Sequence, residues 1–183
     1  MTRVLILYAS EEGQTRKIAT RVAELLARNH IDVHLRDASK ANAASHLATF
    51  DGVVIGASIH YGRHAKTVAD FVAEHRAILH TRHTAFFSVS LSAGGPNFDR
   101  EGARRYLADF FEATHWTPDQ SAVFAGAIRH SRYSLVRTIM VRLSLMRTGV
   151  PEPGDHEYTD WHAVESFAGA FLRRLAMPTR EGR

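Results

Sequence analysis

The chain has 183 residues, 45% hydrophobic and 23% charged, enough for one well-cored domain and short for two. It contains no cysteine, which excludes disulfides, thiolate metal sites and thiol catalysis. The net charge is +4, and the acid-free stretch from Arg129 to Gly149, with Arg129, Arg132, Arg137, Arg142 and Arg147, carries all of that excess.

Val4 to Tyr8 opens the chain as a short apolar run and reads as a buried strand. It is too short for the core of a signal peptide. No stretch of about 18 uncharged apolar residues exists to span a bilayer, so a cytoplasmic location is expected. Ile18, Val22, Leu25 and Leu26 then follow helical spacing, and Ile31 to Leu35 reads as a second strand. Gly52 to Ala57 is the third strand, with a helix to follow on the stripe Val68, Phe71, Val72, His75 and Leu79. Ala85 to Leu91 is the fourth, followed by a helix on Tyr106, Leu107, Phe110 and Phe111. Ala122 to Ile128 is the fifth, and Val164, Phe167, Ala168, Phe171 and Leu172 form a last helix that Thr159 or Asp160 could cap. Strand alternating with helix predicts an α/β fold, a parallel sheet covered on both faces, and the near-continuous apolar strands agree with burial on both sides. Gly149 to Asp155 is the clearest breaker, and residues 177–183 read as a flexible tail.

In such a sheet the ligand sits at the carboxyl ends of the strands, near the point where strand order reverses. The loops to inspect are therefore Ala9 to Thr15, Ser58 to Arg63 and Ser88 to Asn97. In the first, Ser10 and Thr15 bring hydroxyls, Gly13 permits a tight turn, and the helix that follows offers unpaired amides to an anion. A phosphate suits it. The Walker ending and the dinucleotide G-x-G-x-x-G pattern are both absent, and Glu11 and Glu12 should point into solvent. A plainer reading has Ser10 merely capping a helix. The other two loops, "GASIHYG" (Gly56 to Gly62) and "SVSLSAGGP" (Ser88 to Pro96), combine small residues, hydroxyls and one aromatic. Together the three would hold a phosphorylated planar ring, which fits flavin mononucleotide (FMN).

The runs "EGQTRKIA", "VVIGASIHYG", "FFSVSL", "AVFAGAIRHSRY" and "YTDW" resemble the flavodoxin-like, quinone-dependent protoporphyrinogen oxidase family of bacterial haem biosynthesis, from about Val4 to Leu172. The resemblance implies a flavodoxin-like, doubly wound, five-stranded parallel sheet of order 2-1-3-4-5. It also implies a single domain over residues 1–176, with a helical insert, residues 129–155, after or within the fifth strand. FMN would be the cofactor. Ser10, Glu11, Glu12, Gly13, Gln14 and Thr15 would wrap its phosphate mostly through backbone N–H groups. Ser58, Ile59, His60, Tyr61 and Gly62 would flank the ring, with Tyr61 stacking on it, and Ser88, Val89, Ser90, Leu91, Ser92, Ala93, Gly94 and Gly95 would close the other side. The family pattern has a basic residue at position 11 and an asparagine at position 90, where this chain has Glu11 and Ser90. The implied reaction oxidises protoporphyrinogen IX to protoporphyrin IX and passes the electrons to a respiratory quinone such as menaquinone. His60 and Tyr61 are the candidates for a proton relay, and no catalytic residue is assigned beyond them.

Projected at about 100° per residue, Leu135, Val136, Ile139, Met140, Leu143 and Met146 of the insert share one apolar arc with Arg137 and Arg142 near its edges. An interfacial helix on an anionic membrane surface satisfies that pattern, which makes the protein peripheral to the inner face of the cell membrane. Packing on its own domain or on a twin subunit is the alternative, so a homo-oligomer stays open. Arg129 and Arg132 are the candidates for gripping the two propionates of the substrate, because guanidinium offers a bidentate fork. His60, Arg63, His64 and His130 are secondary.

His75, His80 and His83 lack metal-site spacing, so no metal is expected. No G-x-S-x-G elbow is present, and one basic helix rich in Met and Leu is a poor match for nucleic acid. Three other readings remain: a flavodoxin-type electron carrier, another FMN-dependent quinone reductase, and a flavin-free regulatory module on the same fold.

Overall fold

A computed structural model describes residues 1–40, 43–93, 99–128 and 156–178. Strand β1 (Arg3–Ala9) leads into helix α1 (Gln14–Ala27), then β2 (Asp32–Asp37), a short 3-10 turn (Leu47–Thr49) and β3 (Gly52–His60). The two-residue β4 (Arg63–His64) precedes α2 (Lys66–His80), which leads to β5 (His83–Ser90), a second 3-10 turn (Leu91–Ala93) and α3 (Arg100–Thr114). After β6 (Gln120–Ala125) come β7 (Ala127–Ile128) and β8 (His156–Glu157), and α4 (Trp161–Leu175) ends the described fold.

The main sheet runs β2-β1-β3-β5-β6, all parallel, with β4 folded back antiparallel on β3. Without β4, this is the 2-1-3-4-5 order expected. Both faces are covered, which is why the central strands are apolar throughout. Leu5, Leu7, Ile55 and Phe86 face α2 and α3, while Val4, Ile6, Val54 and Phe87 face α1 and α4. Side chains alternate across a strand, so a strand buried on both sides has no polar positions to spare.

The first and fourth strands are shifted by one or two residues, to Arg3–Ala9 and His83–Ser90, and the other three differ from the sequence expectation for local reasons. The second strand lies at Asp32–Asp37 and is only half-buried, with Leu35 37% exposed, because it is an edge strand with one neighbour. The third strand continues past Ala57 to His60, since a hairpin to β4 extends it. The fifth strand stops at Ala125 rather than Ile128. There Gly126 leaves the sheet, its N–H donating to the carbonyl of Ser90 (3.0 Å), and Ala127 and Ile128 pair instead with Glu157 and His156.

The last helix is capped by Asp160, whose carboxylate accepts from the N–H of Ala163 at 3.0 Å. Thr159 has a different task, described below. Among the described residues no helix is long and apolar enough to cross a membrane.

Candidate functional site

Strands β1, β3, β5 and β6 finish level. Ala9 lies opposite Ala57, Ser58 opposite Val89, and Ser90 opposite Ala125. The loops that leave them therefore open on one rim. Between β1 and β3 the order reverses, since the chain turns to β2 on one side and resumes at β3 on the other, and a crevice forms where neighbouring loops diverge.

On one side of the crevice, the Ser10 hydroxyl accepts from the N–H of Gly13 at 3.0 Å and bends the loop back on itself. Gly13 has φ 92°, in the left-handed region that glycine enters without a Cβ clash. Helix α1 starts at the next residue with no side-chain cap and no acid in its first turn. An uncapped helix start concentrates amide donors and the positive end of the helix dipole at one point, which is a seat for a phosphate. Gln14 and Thr15 are buried at the start of the helix.

The Gln14 amide donates to the Thr159 hydroxyl (2.8 Å), which donates to the carbonyl of Ala125 (2.8 Å). Through a bond that spans 145 positions of sequence, from Gln14 to Thr159, this network ties the phosphate-type loop to the end of β6. Lys17 pairs with Glu157 and lies 5.6 Å from the centre of the Trp161 ring. Burial works to raise the Glu157 carboxyl, but hydrogen bonds from Lys17 and the Trp161 indole outweigh it and hold the group below its ordinary value. Sequence spacing carried no signal for this network.

On the opposite side, the hairpin from β3 to β4 turns through Tyr61 and Gly62, with φ 51° and 77°. Two consecutive positive φ values define a type I′ turn. The Tyr61 side chain is 91% exposed at its tip, an aromatic held in water on a short connection. Ser58 lies at the end of β3, its hydroxyl donating to the carbonyl of Ala9 at 3.5 Å, and Ile59 and His60 are half-buried. His60 Nδ1 lies 3.4 Å from the Glu11 carboxylate, so a contact spans the two sides of the crevice. Glu11 is exposed but reaches across to His60, and Glu12 is half-buried, so neither simply points into solvent as expected.

From the third side, Ser88, Val89 and Ser90 are buried in the last turn of β5, Leu91 is 40% exposed and Ala93 half-buried. The Ser88 hydroxyl is engaged with His64 at 2.9 Å. The Ser90 hydroxyl is buried without a hydrogen-bond partner among the described residues, and a buried orphan at a crevice wall fits a polar group of a bound ring. Burial pushes the His64 imidazole down to about 4, which weighs against its meeting a carboxylate as a cation. Arg63 beside it is exposed.

The structure thus brings together the loops at 10–15, 58–62 and 88–93. Only the backbone of Ser92 is described. Gly94 and Gly95 lie outside the described residues, as do Arg129, Arg132 and His130 and the membrane candidates Leu135, Arg137, Ile139, Met140, Arg142, Leu143 and Met146.

Residues 5–152 match the flavodoxin-domain family. Protoporphyrinogen IX dehydrogenase [quinone] of Escherichia coli (strain K12) is 33% identical over 179 residues, which span 97% of this chain and 98% of that protein. The protein of the same name from Leishmania major is 31% identical over 182 residues, 97% of this chain and 78% of the relative. Among solved structures, the Fusobacterium nucleatum flavodoxin bound to flavin mononucleotide superposes with a TM-score of 0.51 at 15% identity, over 96% of this chain and 97% of that one.

Proposed function

The chain belongs to the flavodoxin-domain family, among the quinone-dependent protoporphyrinogen IX dehydrogenases, and from that premise we propose that it is an FMN-dependent oxidoreductase that oxidises protoporphyrinogen IX and delivers the electrons to a quinone. One observation carries the cofactor half of this reading. An uncapped α1 start on the Ser10–Gly13 turn faces, across the reversal point of the sheet, an exposed aromatic on a rigid hairpin. The first suits a phosphate and the second a flat ring.

The residues fit their tasks. Backbone N–H groups from Ser10, Glu11, Glu12, Gly13, Gln14 and Thr15 hold the phosphate without needing a lysine, as the dipole and amides supply the positive field. Tyr61 would cover one face of the ring, with Ser58, Ile59, His60 and Gly62 along its edge. Ser90 and the turn Leu91–Ala93 would close the other side, together with Gly94 and Gly95, which lie outside the described residues. When bound, the flavin supplies the ability to accept electrons in pairs from one partner and release them to another. The chain supplies position, exclusion of water and a fixed field. His60, half-buried beside Glu11, and Tyr61 are the proposed proton relay at the crevice rim.

Arg129 and Arg132 are proposed to take the propionates of the substrate. The arc of Leu135, Ile139, Met140, Leu143 and Met146, with Arg137 and Arg142 at its edges, is proposed to rest on an anionic membrane surface where quinone is dissolved.

Two measurements test this. Under anaerobic conditions, adding protoporphyrinogen IX to the FMN-loaded protein is expected to bleach the visible flavin band, and a menaquinone or ubiquinone analogue to restore it. No bleaching would overturn the enzyme reading in favour of an electron carrier. In liposome flotation, Arg137→Glu with Arg142→Glu is expected to cut binding to anionic vesicles at least about thirtyfold, at about 1 kcal/mol per basic residue near the surface. Flotation equal to that of the unaltered protein would remove the membrane role.

A further inference from the structure

A two-residue strand with a two-residue turn has no stability of its own, and Tyr61 adds a left-handed backbone at a bulky residue, a conformation that persists only when its surroundings impose it. Something outside the turn must hold it.

Gly62 rests against α3, where a Cβ would lie 3.7 Å from the Tyr106 ring. That contact restrains the tip loosely. The firm point is His64. It pairs across the hairpin with Ile59, and its imidazole meets the rings of Phe86 (5.3 Å, 77°) and Phe110 (4.9 Å, 63°) edge-on. Its Nε2 lies 2.9 Å from the hydroxyl of Ser88, a residue with no exposed surface. Phe86, two positions earlier on the same face of β5, belongs to the apolar core. A serine at position 88 interrupts that apolar face, and its hydroxyl is satisfied by the imidazole. Ring packing alone leaves an imidazole free to slide or rotate. A hydrogen bond inside an apolar layer has a direction, and leaving either partner unsatisfied is costly.

We propose that the His64–Ser88 pair is the positioning element that locks the Tyr61 hairpin against the crevice, and through it sets the orientation and reduction potential of the flavin ring; the second half rests on the FMN reading above. His64 does not touch the ring. It acts through the two-strand ladder, which transmits its position to His60, Tyr61 and Gly62.

The test uses Ser88→Ala, His64→Leu, His64→Gln and the double variant His64→Leu/Ser88→Ala. In the apoprotein, amide hydrogen exchange at His60 and Arg63, the paired rung of the hairpin, is expected to quicken about tenfold in either of the first two, the effect of losing one buried hydrogen bond, while amides of β1 keep their rates. With FMN bound, the same two variants are expected to raise its dissociation constant about tenfold and to change the visible circular dichroism and the midpoint potential. The glutamine, whose amide can reach the same hydroxyl, is expected to restore both. The double variant, with no orphaned group left, is expected to lie closer to wild type than the sum of its parts.

Exchange rates, dichroism and potential all matching wild type in Ser88→Ala, a substitution that removes a single oxygen and keeps the fold, would overturn the proposal. A wild-type chain that takes up no FMN would overturn the functional reading instead, and the exchange measurement on apoprotein keeps the two results apart.

Discussion

Replacing Gly56 with alanine is expected to cost about 3 kcal/mol of folding stability, the upper end of what overpacking a close-fitted core exacts. Gly56 lies in the centre of the sheet, opposite Tyr8 on β1 and Phe87 on β5. A Cβ at this position would fall inside the Phe87 ring, which leans over the glycine. The ring has nowhere to go. It packs against Phe124 (5.8 Å) and Phe167 (5.9 Å), and those two meet each other at 5.6 Å. Relief would require either a shift of β3 against two neighbours or expulsion of an aromatic triad from the α1 and α4 face. Urea unfolding of the apoprotein, followed by far-ultraviolet circular dichroism, measures the loss as a lower midpoint at unchanged slope. Gly169→Ala is the control. It sits on α4 with only the flexible end of Arg173 near its would-be Cβ (3.7 Å), so a helix-favouring alanine there should leave stability equal or slightly higher. Equal midpoints for Gly56→Ala and wild type would mean that Phe87 does not lie over the glycine.

Acid is expected to weaken the fold before its carboxylates begin to titrate. Unfolded, the His64 imidazole takes a proton below its ordinary value of 6.5; folded, it does so only below about 4, because burial disfavours the charged form. Between those values the unfolded chain binds more protons, so stability falls as pH falls from 6.5 to 4 and is fully present above that window. The shift corresponds to about 3 kcal/mol when the window has been crossed. Asp32, held low chiefly by its hydrogen bond with His34, and Glu165, held low chiefly by Arg21, lose their contributions further down the acid range. Stability measured in urea at pH 7, 6, 5 and 4.5 should therefore decline in wild type and stay nearly level in His64→Gln, whose side chain does not titrate. Parallel declines in the two proteins would assign the acid sensitivity to other groups.

These two results also mark where the sequence stopped being readable. The central strands and the helical stripes were legible because a doubly covered sheet leaves a strong apolar signature. The edge strand was displaced by a residue or two, since Asp-Val-His-Leu-Arg-Asp mixes polar and apolar positions as one-sided pairing allows. The hairpin at Tyr61 and Gly62 was not foreseen, because a two-residue strand is shorter than any periodicity. Gly56 looked like part of a ligand loop, yet its role is to seat Phe87. His64 looked like a secondary candidate for a substrate carboxylate, yet burial lowers its imidazole to about 4. The bond from Gln14 to Thr159 joins residues that only the folded topology brings together. For the candidate site, loop composition pointed to three loops that the fold brings to one rim, while the contacts among them are tertiary.

The β7 and β8 ribbon bears on how far the chain between its strands can vary in length. Ala127 faces Glu157 and Ile128 faces His156, so the chain leaves the body and re-enters it one ladder rung apart. Loop-closure entropy grows only slowly with added length. Lengthening or shortening the chain between Ile128 and His156 is therefore expected to leave the cohesion of the parallel sheet nearly unchanged, because the β7 and β8 ladder lies outside it.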